Sequence, residues 1–252
     1  MIDTHAHIYE EYYDDIDSII KKMKNNKIII SGTNDKNNRE VIELCNKYSN
    51  CYGTIGIHPE EILNVNEESL KFIEENISNP KIVGIGEIGL DYHYTTSNKK
   101  DQIDLLKKQL EIAKKHNKAV VIHSRDAIQD TYNILSEYKE LKKDIHCYSG
   151  SLEMAIEFIK IGCKLGVGGT LTFKNNVKLN EVVKNIDLKH LLLETDSPYL
   201  SPEPFRGKRN EPYNIIYVAK KISEIKNITL EEVLKVTTDN AIYQFDLPND
   251  LC

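Results

Sequence analysis

His5 and His7 stand two positions apart at the start of the chain. This spacing places both side chains on one face of a β-strand. Two neutral imidazole nitrogens on one face can bind a divalent cation if carboxylates and further histidines come from elsewhere in the fold. The same pair also fits the polar end of an ordinary strand. The two residues alone leave both interpretations open, so the elements that would bring further ligands must decide.

The rest of the chain alternates short apolar runs with longer amphipathic stretches, which is typical of βα units around a parallel sheet. In the stretch 99–117, for example, apolar residues recur at spacings of three and four, which predicts a helix with one apolar face. Eight such units are present. Their predicted strands are 1–8, 27–32, 51–57, 81–88, 119–123, 144–147, 163–168 and 190–194.

The carboxyl-terminal part of the sequence predicts three further helices. A helix at 176–185 follows the seventh strand, although this stretch is polar enough to be a loop. After a loop rich in Pro and charge at 197–212, helices are predicted at 213–226 and 230–237, and Thr229 caps the latter. No composition shift marks a linker. The sequence therefore predicts a single α/β domain, 1–252, folded as a (β/α)₈ TIM barrel.

Composition limits the class of protein. Hydrophobic residues make up 40% of the 252 residues and charged residues 29%, and no apolar run approaches the ~20 residues that span a bilayer. The net charge of -6 argues against a protein that coats nucleic acid with a broad basic surface. An enzyme that contacts a few phosphates remains compatible with this charge.

The five cysteines are Cys45, Cys51, Cys147, Cys163 and Cys252. An odd number without a CxxC pair fits neither a disulfide framework nor a zinc ribbon, so all five are expected to be reduced. The first residues lack a basic region followed by an apolar segment. We therefore expect a cytoplasmic protein without a membrane partner or an obligate protein partner.

In a barrel, the loops at the carboxyl ends of the strands form the active face. Five predicted strands end in residues that can bind a metal, and burying such residues in a core without partners would be costly. This pattern favours the metal site over the ordinary strand end. The residues are His5 and His7, then Glu87 and Asp91, His123, His146, and finally Glu194 and Asp196.

Four histidines and two carboxylates can bind two divalent ions when one carboxylate bridges them. Glu87 is the candidate bridge, since it follows Gly86 and precedes Gly89 in an otherwise apolar run. Glu194 and Asp196 would point the same way if the eighth strand continued through both. One of them would then bind metal while the other orients it.

Seven blocks of the sequence, in order along the chain, resemble the TatD family of metal-dependent deoxyribonucleases, which have an amidohydrolase-like barrel. The blocks are Asp3-Thr4-His5-Ala6-His7, Gly56-Ile57-His58-Pro59, Gly86-Glu87-Ile88-Gly89-Leu90-Asp91-Tyr92, His123-Ser124-Arg125-Asp126, His146-Cys147-Tyr148-Ser149-Gly150, Leu193-Glu194-Thr195-Asp196-Ser197-Pro198-Tyr199-Leu200 and Arg209-Asn210-Glu211-Pro212. The resemblance implies hydrolysis of DNA with divalent metals, typically from the 3′ end. It also implies that the metal ligands are His5, His7, Glu87, His123, His146 and Asp196.

The expected cofactors are two divalent ions chosen among Mg²⁺, Mn²⁺, Zn²⁺ and Ni²⁺. The expected substrates are terminal nucleotides of single-stranded DNA, with RNA as a further option. In the hypothesis for the mechanism, the metals lower the pKa of a water that attacks a phosphodiester phosphorus. Asp196 and Glu87 are the catalytic candidates, and Asp196 would accept the proton of this water.

Other residues around this face are candidates for supporting roles. His58 is expected to contact substrate or an additional metal, although a histidine that only shapes a turn fits as well. Asp91 is expected to orient a ligand histidine. Arg125, Arg206 and Arg209 are candidates for binding phosphate, because a guanidinium can contact two phosphate oxygens at once.

Two alternatives to a deoxyribonuclease stay open. The same barrel and metals could hydrolyse an amide, a lactone or a small phosphoester, since one fold hosts many chemistries. A second alternative is a metal-binding protein without catalysis, which would gain stability from metal but hydrolyse no ester.

Overall fold

The computed structural model describes residues 1–249, which form a single parallel sheet of eight strands in the order β1 to β8. Each strand is short and mostly buried, as expected for strands that are covered on both faces. The strands are β1 Ile2–Ala6, β2 Lys27–Ser31, β3 Cys51–Ile55, β4 Ile82–Asp91, β5 Ala119–Arg125, β6 Lys143–Ile145, β7 Cys163–Val167 and β8 Leu191–Leu193.

Helices follow the strands and cover the outside of the sheet. Side chains of Asp15, Asn34, Asn66, Ser151 and Thr229 accept backbone hydrogen bonds at five helix starts. The helices within residues 1–249 are α1 Ile16–Lys22, α2 Asp35–Lys47, α3 Glu67–Asn76, α4 Lys99–His116, α5 Ile128–Leu135, α6 Leu152–Lys160, α7 Val177–Asn185, α8 Ile215–Lys226 and α9 Leu230–Phe245. Short 3₁₀ helices lie at Pro59–Glu61, Gly169–Thr172, Leu188–His190 and Pro212–Asn214.

Hydrogen bonds between the β1 segment and the residues that follow β8 nearly close the sheet into a barrel. The Asp196 N–H donates to the His5 carbonyl at 2.9 Å, and the His7 N–H donates to the Ser197 carbonyl at 2.7 Å. The Asp3 carboxylate accepts from the hydroxyl of Thr195 at 2.6 Å and from its N–H at 2.9 Å. The predicted (β/α)₈ barrel is therefore confirmed, and its closure places two sequence-distant candidate ligands side by side.

Six predicted strands end one or two residues earlier than expected: β1 at Ala6, β2 at Ser31, β3 at Ile55, β6 at Ile145, β7 at Val167 and β8 at Leu193. β4 and β5 instead continue to Asp91 and Arg125. The residues His7, His146, Glu194 and Asp196 therefore lie in the loops that follow their strands. The condition under which both acids would point the same way, an eighth strand that continues through them, is not met, and Asp196 has a positive φ of 52°. The helix at 176–185 is confirmed, because Asn176 caps α7 and the helix itself ends at Asn185.

The last helix is longer than predicted. The sequence placed its end at residue 237, but α9 continues to Phe245. Ala241 and Phe245 pack with Ile29, Val121 and Leu192 in a separate apolar cluster. This tertiary packing compensates the weak helix propensity of the polar stretch after Thr237, which is why the local pattern did not reveal it.

Four cysteines, Cys45, Cys51, Cys147 and Cys163, are free thiols, and Cys252 lies outside the described residues. Among the helices of residues 1–249, none combines the length and apolar character needed to cross a membrane.

Gly89 of β4 is required by both conformation and space. Its φ is 152°, and a Cβ at this position would lie 1.9 Å from the backbone oxygen of His123 in β5. Gly162 also has a positive φ, 84°, but a Cβ there would meet no atom within 4 Å. A substitution at Gly162 therefore measures the free-energy cost of the backbone conformation alone, whereas one at Gly89 adds the cost of a steric clash.

We predict that Gly162→Ala lowers the free energy of unfolding by about 1–2 kcal/mol, from conformation alone. Gly89→Ala adds a backbone clash and should cost roughly 2–5 kcal/mol. Urea unfolding of both variants and of the unchanged protein measures these differences. Equal losses for the two variants would contradict the assigned role of Gly89.

Candidate metal centre

Glu87 lies at the centre of the predicted ligands, on β4, with 3% of its surface exposed. One carboxylate oxygen, Oε2, lies 3.4 Å from Nε2 of both His5 and His7. Asp196 approaches the same pair, with Oδ1 3.7 Å from Nε2 of His5 and 3.4 Å from Nε2 of His7. The end of β1 thus meets the loop after β8 and the middle of the sheet.

His5 of β1 and His7, which directly follows β1, present their Nε2 atoms to each other. Nε2 of His5 and Nε2 of His7 are 3.1 Å apart. Their other ring nitrogens contact Ser31: Nδ1 of His5 lies 3.1 Å from the Ser31 hydroxyl, and Nδ1 of His7 lies 3.1 Å from its carbonyl oxygen. The two Nε2 atoms can form a hydrogen bond only when one of them carries a proton, whereas a cation would bind the lone pairs of both when neither does.

The second oxygen of Glu87 faces a different set of histidines. Oε1 lies 2.9 Å from Nδ1 of His123, and 3.5 Å from Nε2 of both His58 and His146. Its two oxygens therefore contact different nitrogen donors, as a bridging ligand requires.

These donors form three groups in which the possible ligand atoms all lie within 4.8 Å of one another. Glu87 belongs to two groups and His5 to two. Mixed imidazole and carboxylate donors suit divalent ions such as Zn²⁺, Mn²⁺ and Ni²⁺, so the residues fit the expected cofactor class. The groups are His5 with His7 and Glu87, His5 with His146 and Asp196, and His58 with Glu87 and His123.

Two further carboxylates contact the outer nitrogens of candidate ligands. Asp91 Oδ2 lies 2.9 Å from Nε2 of His123. Glu194 Oε1 accepts the Cys147 N–H at 2.7 Å and lies 3.3 Å from Nδ1 of His146, close enough for attraction between charges but without hydrogen-bond alignment. Both carboxylates sit where a residue that orients a ligand histidine would lie, as the sequence suggested.

The pKa values of the site reflect burial and mutual charge. Burial alone would raise the pKa of Glu87, but the charges of His146 and His58 hold it well below its usual value. Burial would lower the pKa of His123, yet hydrogen bonds with Asp91 and Glu87 raise it to about 9. Burial would also lower the pKa of His146, but the charges of Glu194 and Glu87 raise it to about 10. Without metal, both histidines are protonated at neutral pH.

The site opens into a cavity of about 480 Å³ at the carboxyl ends of the strands. Arg125 and His58 line this cavity. Arg206 and Arg209 do not: the Arg206 guanidinium lies 4.3 Å from the ring centre of Phe173, and Arg209 donates to the backbone carbonyl of Tyr12. Of the three arginines predicted to bind phosphate, the structure brings Arg125 alone to the cavity.

Sequence reasoning missed three tyrosines that line the same cavity, Tyr9, Tyr12 and Tyr199. Tyr9 and Tyr12 follow the first strand closely, and Tyr199 lies three residues after Asp196. Their proximity to predicted ligands along the chain was the available signal. Cys147, which directly follows His146, is not among the lining residues.

Comparison with known proteins identifies the family. The family model described as TatD related DNase matches residues 2–246. The chain belongs to the TatD family of metal-dependent hydrolases. It is 42% identical to the uncharacterized metal-dependent hydrolase YabD of Bacillus subtilis, with 96% of this chain and 97% of YabD covered. It is 32% identical to the uncharacterized metal-dependent hydrolase YcfH of Escherichia coli K12, with 95% of this chain and 93% of YcfH covered.

The fold of the family is also found in a solved structure. The crystal structure of YjjV, a TatD homologue from Escherichia coli K12, superposes with a TM-score of 0.93 at 29% identity, and 98% of each chain is covered. The resemblance stated from the sequence blocks is thereby confirmed. The roles of individual TatD ligands in this chain remain predictions that the geometry supports.

We predict that Glu87→Gln weakens divalent-ion binding by more than about 100-fold, because even orienting residues outside the ligand set contribute 10–100-fold. Glu61→Gln is the matched control, since Glu61 lines the cavity but belongs to none of the three donor groups. Equilibrium dialysis with elemental analysis measures bound ions. Unchanged binding in Glu87→Gln would rule out the shared ligand.

We also predict that ion binding at pH 7 releases protons, because His123 and His146, with pKa values raised to about 9 and about 10, must lose theirs to bind an ion. Affinity should therefore rise as the pH increases from 7 toward 9. Calorimetry in buffers of different ionisation enthalpy counts the protons, and His146→Ala should release fewer. Binding without proton release would contradict the protonation states described above.

Proposed function

We propose that this TatD-type hydrolase cleaves phosphodiester bonds at the 3′ ends of single-stranded DNA with two divalent ions. The observation that supports two ions is that the two carboxylate oxygens of Glu87 contact different histidines. Oε2 faces His5 and His7, whereas Oε1 faces His123. A carboxylate shared between two ions is a common arrangement for in-line displacement at phosphorus. RNA ends carry the same phosphodiester and are included as substrates to be tested.

When bound, the ions would polarise phosphoryl oxygens and activate a water molecule. The residues that would hold them are His5, His7, Glu87, His123, His146 and Asp196, with His58 near Oε1 of Glu87 as a further donor.

The protein would supply the base for this reaction. Asp196 lines the cavity, and its side chain is 13% exposed. Burial would raise its pKa, but the hydrogen bond from His7 and the charge of His146 hold the pKa below its usual value, so the carboxylate is ionised at neutral pH. Its oxygen would accept the proton of the attacking water. The water oxygen adds to phosphorus, the ester P–O bond breaks, and the leaving oxygen takes a proton from solvent, so that the products are a phosphomonoester and an alcohol.

The charges around the cavity favour a strand end over a duplex. Arg125 is the one guanidinium among the residues described as lining it, whereas Glu11, Glu60 and Glu61 contribute carboxylates. These three glutamates, which we call the acidic rim, would repel a long polyanion. A terminal nucleotide carries few phosphates, and Arg125 together with bound cations would neutralise them.

The same acidic rim also suits a neutral or cationic substrate, which keeps hydrolysis of an amide or lactone as the second candidate. We suggest digesting end-labelled single-stranded DNA and RNA with metal-stripped protein, adding back Mg²⁺, Mn²⁺, Zn²⁺ or Ni²⁺ singly. Amide and lactone substrates are assayed in parallel. Release of labelled nucleotides from the 3′ end supports the proposal, whereas amide or lactone turnover without nuclease activity would overturn it.

We predict that Asp196→Asn lowers kcat for DNA hydrolysis by roughly 10²- to 10⁴-fold, the usual contribution of a general base. Ion content is measured on the same preparation, so that lost binding is distinguished from lost chemistry. Asp239→Asn is the control, because Asp239 lies on α9 and pairs with Lys235 at the surface. Full turnover by the Asp196→Asn variant would exclude the role as base.

A further inference from the structure

Three aromatic rings line one side of the cavity, and we call Tyr9, Tyr12 and Tyr199 the tyrosine wall. Ring centres of Tyr9 and Tyr12 are 5.7 Å apart, and those of Tyr12 and Tyr199 are 5.8 Å apart. Exposure increases outward: Tyr9 is 1% exposed, whereas Tyr199 is 47% exposed. The wall therefore extends from the core to the cavity mouth.

The tyrosine wall lies beside the candidate metal centre. The ring centre of His7 is 5.7 Å from that of Tyr9 and 6.1 Å from that of Tyr199. A flat group resting on Tyr199 would thus lie next to a candidate metal ligand, within one nucleotide of the reacting phosphate.

Hydrogen bonds hold the hydroxyls and the backbone of the tyrosine wall in place. The hydroxyls of Tyr12 and Tyr199 are 2.8 Å apart, and the Tyr9 hydroxyl donates to the Ser31 carbonyl. The backbone of the wall is held as well, because Asn210 Nδ2 donates to the Tyr199 carbonyl at 2.9 Å and Arg209 donates to the Tyr12 carbonyl. The rings are ordered before any ligand arrives, which reduces the entropy lost on binding.

Packing explains Tyr9 and Tyr12 but not Tyr199. Tyr9 is buried in the hydrophobic core, and the partly buried Tyr12 packs against it. Tyr199 is nearly half exposed, so burial contributes little to its position at the mouth. Its hydroxyl proton is used in the hydrogen bond to the Tyr12 hydroxyl, and its exposed ring remains open to a ligand.

We propose that Tyr199, which Tyr12 contacts edge-on at an interplanar angle of 71°, provides a stacking surface for the nucleobase of the terminal nucleotide, an inference that rests on the proposed nuclease function. Aromatic side chains bind single-stranded nucleic acid by stacking, which tolerates every base because each has a π-face. We therefore expect this contact to depend on the presence of a base and little on its identity. Arg209 and Asn210 act as positioning residues for this surface.

The test compares two single-stranded oligodeoxynucleotides of the same sequence. One is intact, and the other lacks the base of the terminal nucleotide at its 3′ end and at its 5′ end. Tyr199→Leu should raise KM for the intact strand by about 5- to 100-fold, the range that loss of one stacked base gives, and should change KM for the abasic strand little. Tyr199→Phe keeps the ring and should stay within about 2-fold of the unchanged protein. Tyr243→Leu is the matched control, an exposed tyrosine on α9 that does not line the cavity.

A binding measurement without catalysis complements the kinetics. A strand with terminal 2-aminopurine and a hydrolysis-resistant phosphorothioate at its last linkage is added to the ion-loaded protein, and its fluorescence should fall on stacking. Tyr199→Leu should abolish the change, and Tyr199→Phe should keep it. Thermal melts of each variant verify folding.

The outcomes separate the two proposals. If the unchanged protein cleaves neither strand with any ion, the nuclease function fails. If it cleaves both strands and Tyr199→Leu affects them equally, or if 2-aminopurine fluorescence does not respond to the unchanged protein, the stacking surface alone is overturned.

Discussion

A buried carboxylate that must be compensated determines how this barrel is built. Glu87 is 3% exposed, and an isolated charge at such a position would be prohibitively costly. Five histidines approach its two oxygens. They come from four separate segments of the chain, none of which is the strand that carries Glu87. No single βα unit could supply this compensation. The barrel topology is needed because it brings distant segments to one end of the sheet.

The need to compensate buried charge also applies to the residues that contact the candidate ligands. Asp91 and Glu194 contact the outer nitrogens of His123 and His146, so the positive charge on the histidines is shared between two layers of carboxylates. Asp144, two residues before His146, is fully buried with neither oxygen hydrogen-bonded. Burial, and next the charge of Glu194, raises the pKa of Asp144 well above its usual value. Burial therefore raises the pKa of Asp144, whereas the surrounding histidines hold the pKa values of Glu87 and Asp196 below their usual range.

Local sequence was sufficient for the barrel and for the ring of ligand candidates, because strand alternation and polar strand ends are properties of neighbouring residues. It was insufficient where tertiary contacts decide. The length of α9 depends on Phe245 packing with residues of distant strands. Arg209 is as plausible a phosphate ligand as Arg125 on sequence grounds, yet it bonds the Tyr12 carbonyl from the far side of the chain. The tyrosine wall escaped notice because aromatic residues near a strand end usually belong to the core.

The ligand set and the cavity mouth answer different chemical questions. Histidines and carboxylates of this kind activate water for many substrates, so they set the class of reaction and leave the substrate open. Selectivity must come from groups that touch the parts of the substrate away from the scissile bond. In the proposed function these groups are Arg125, the acidic rim and the outer tyrosines, Tyr12 and Tyr199, all of which line the cavity. We propose that their combination of one cation, several anions and an exposed aromatic surface selects a substrate with little charge beyond its reacting group and a flat ring beside it.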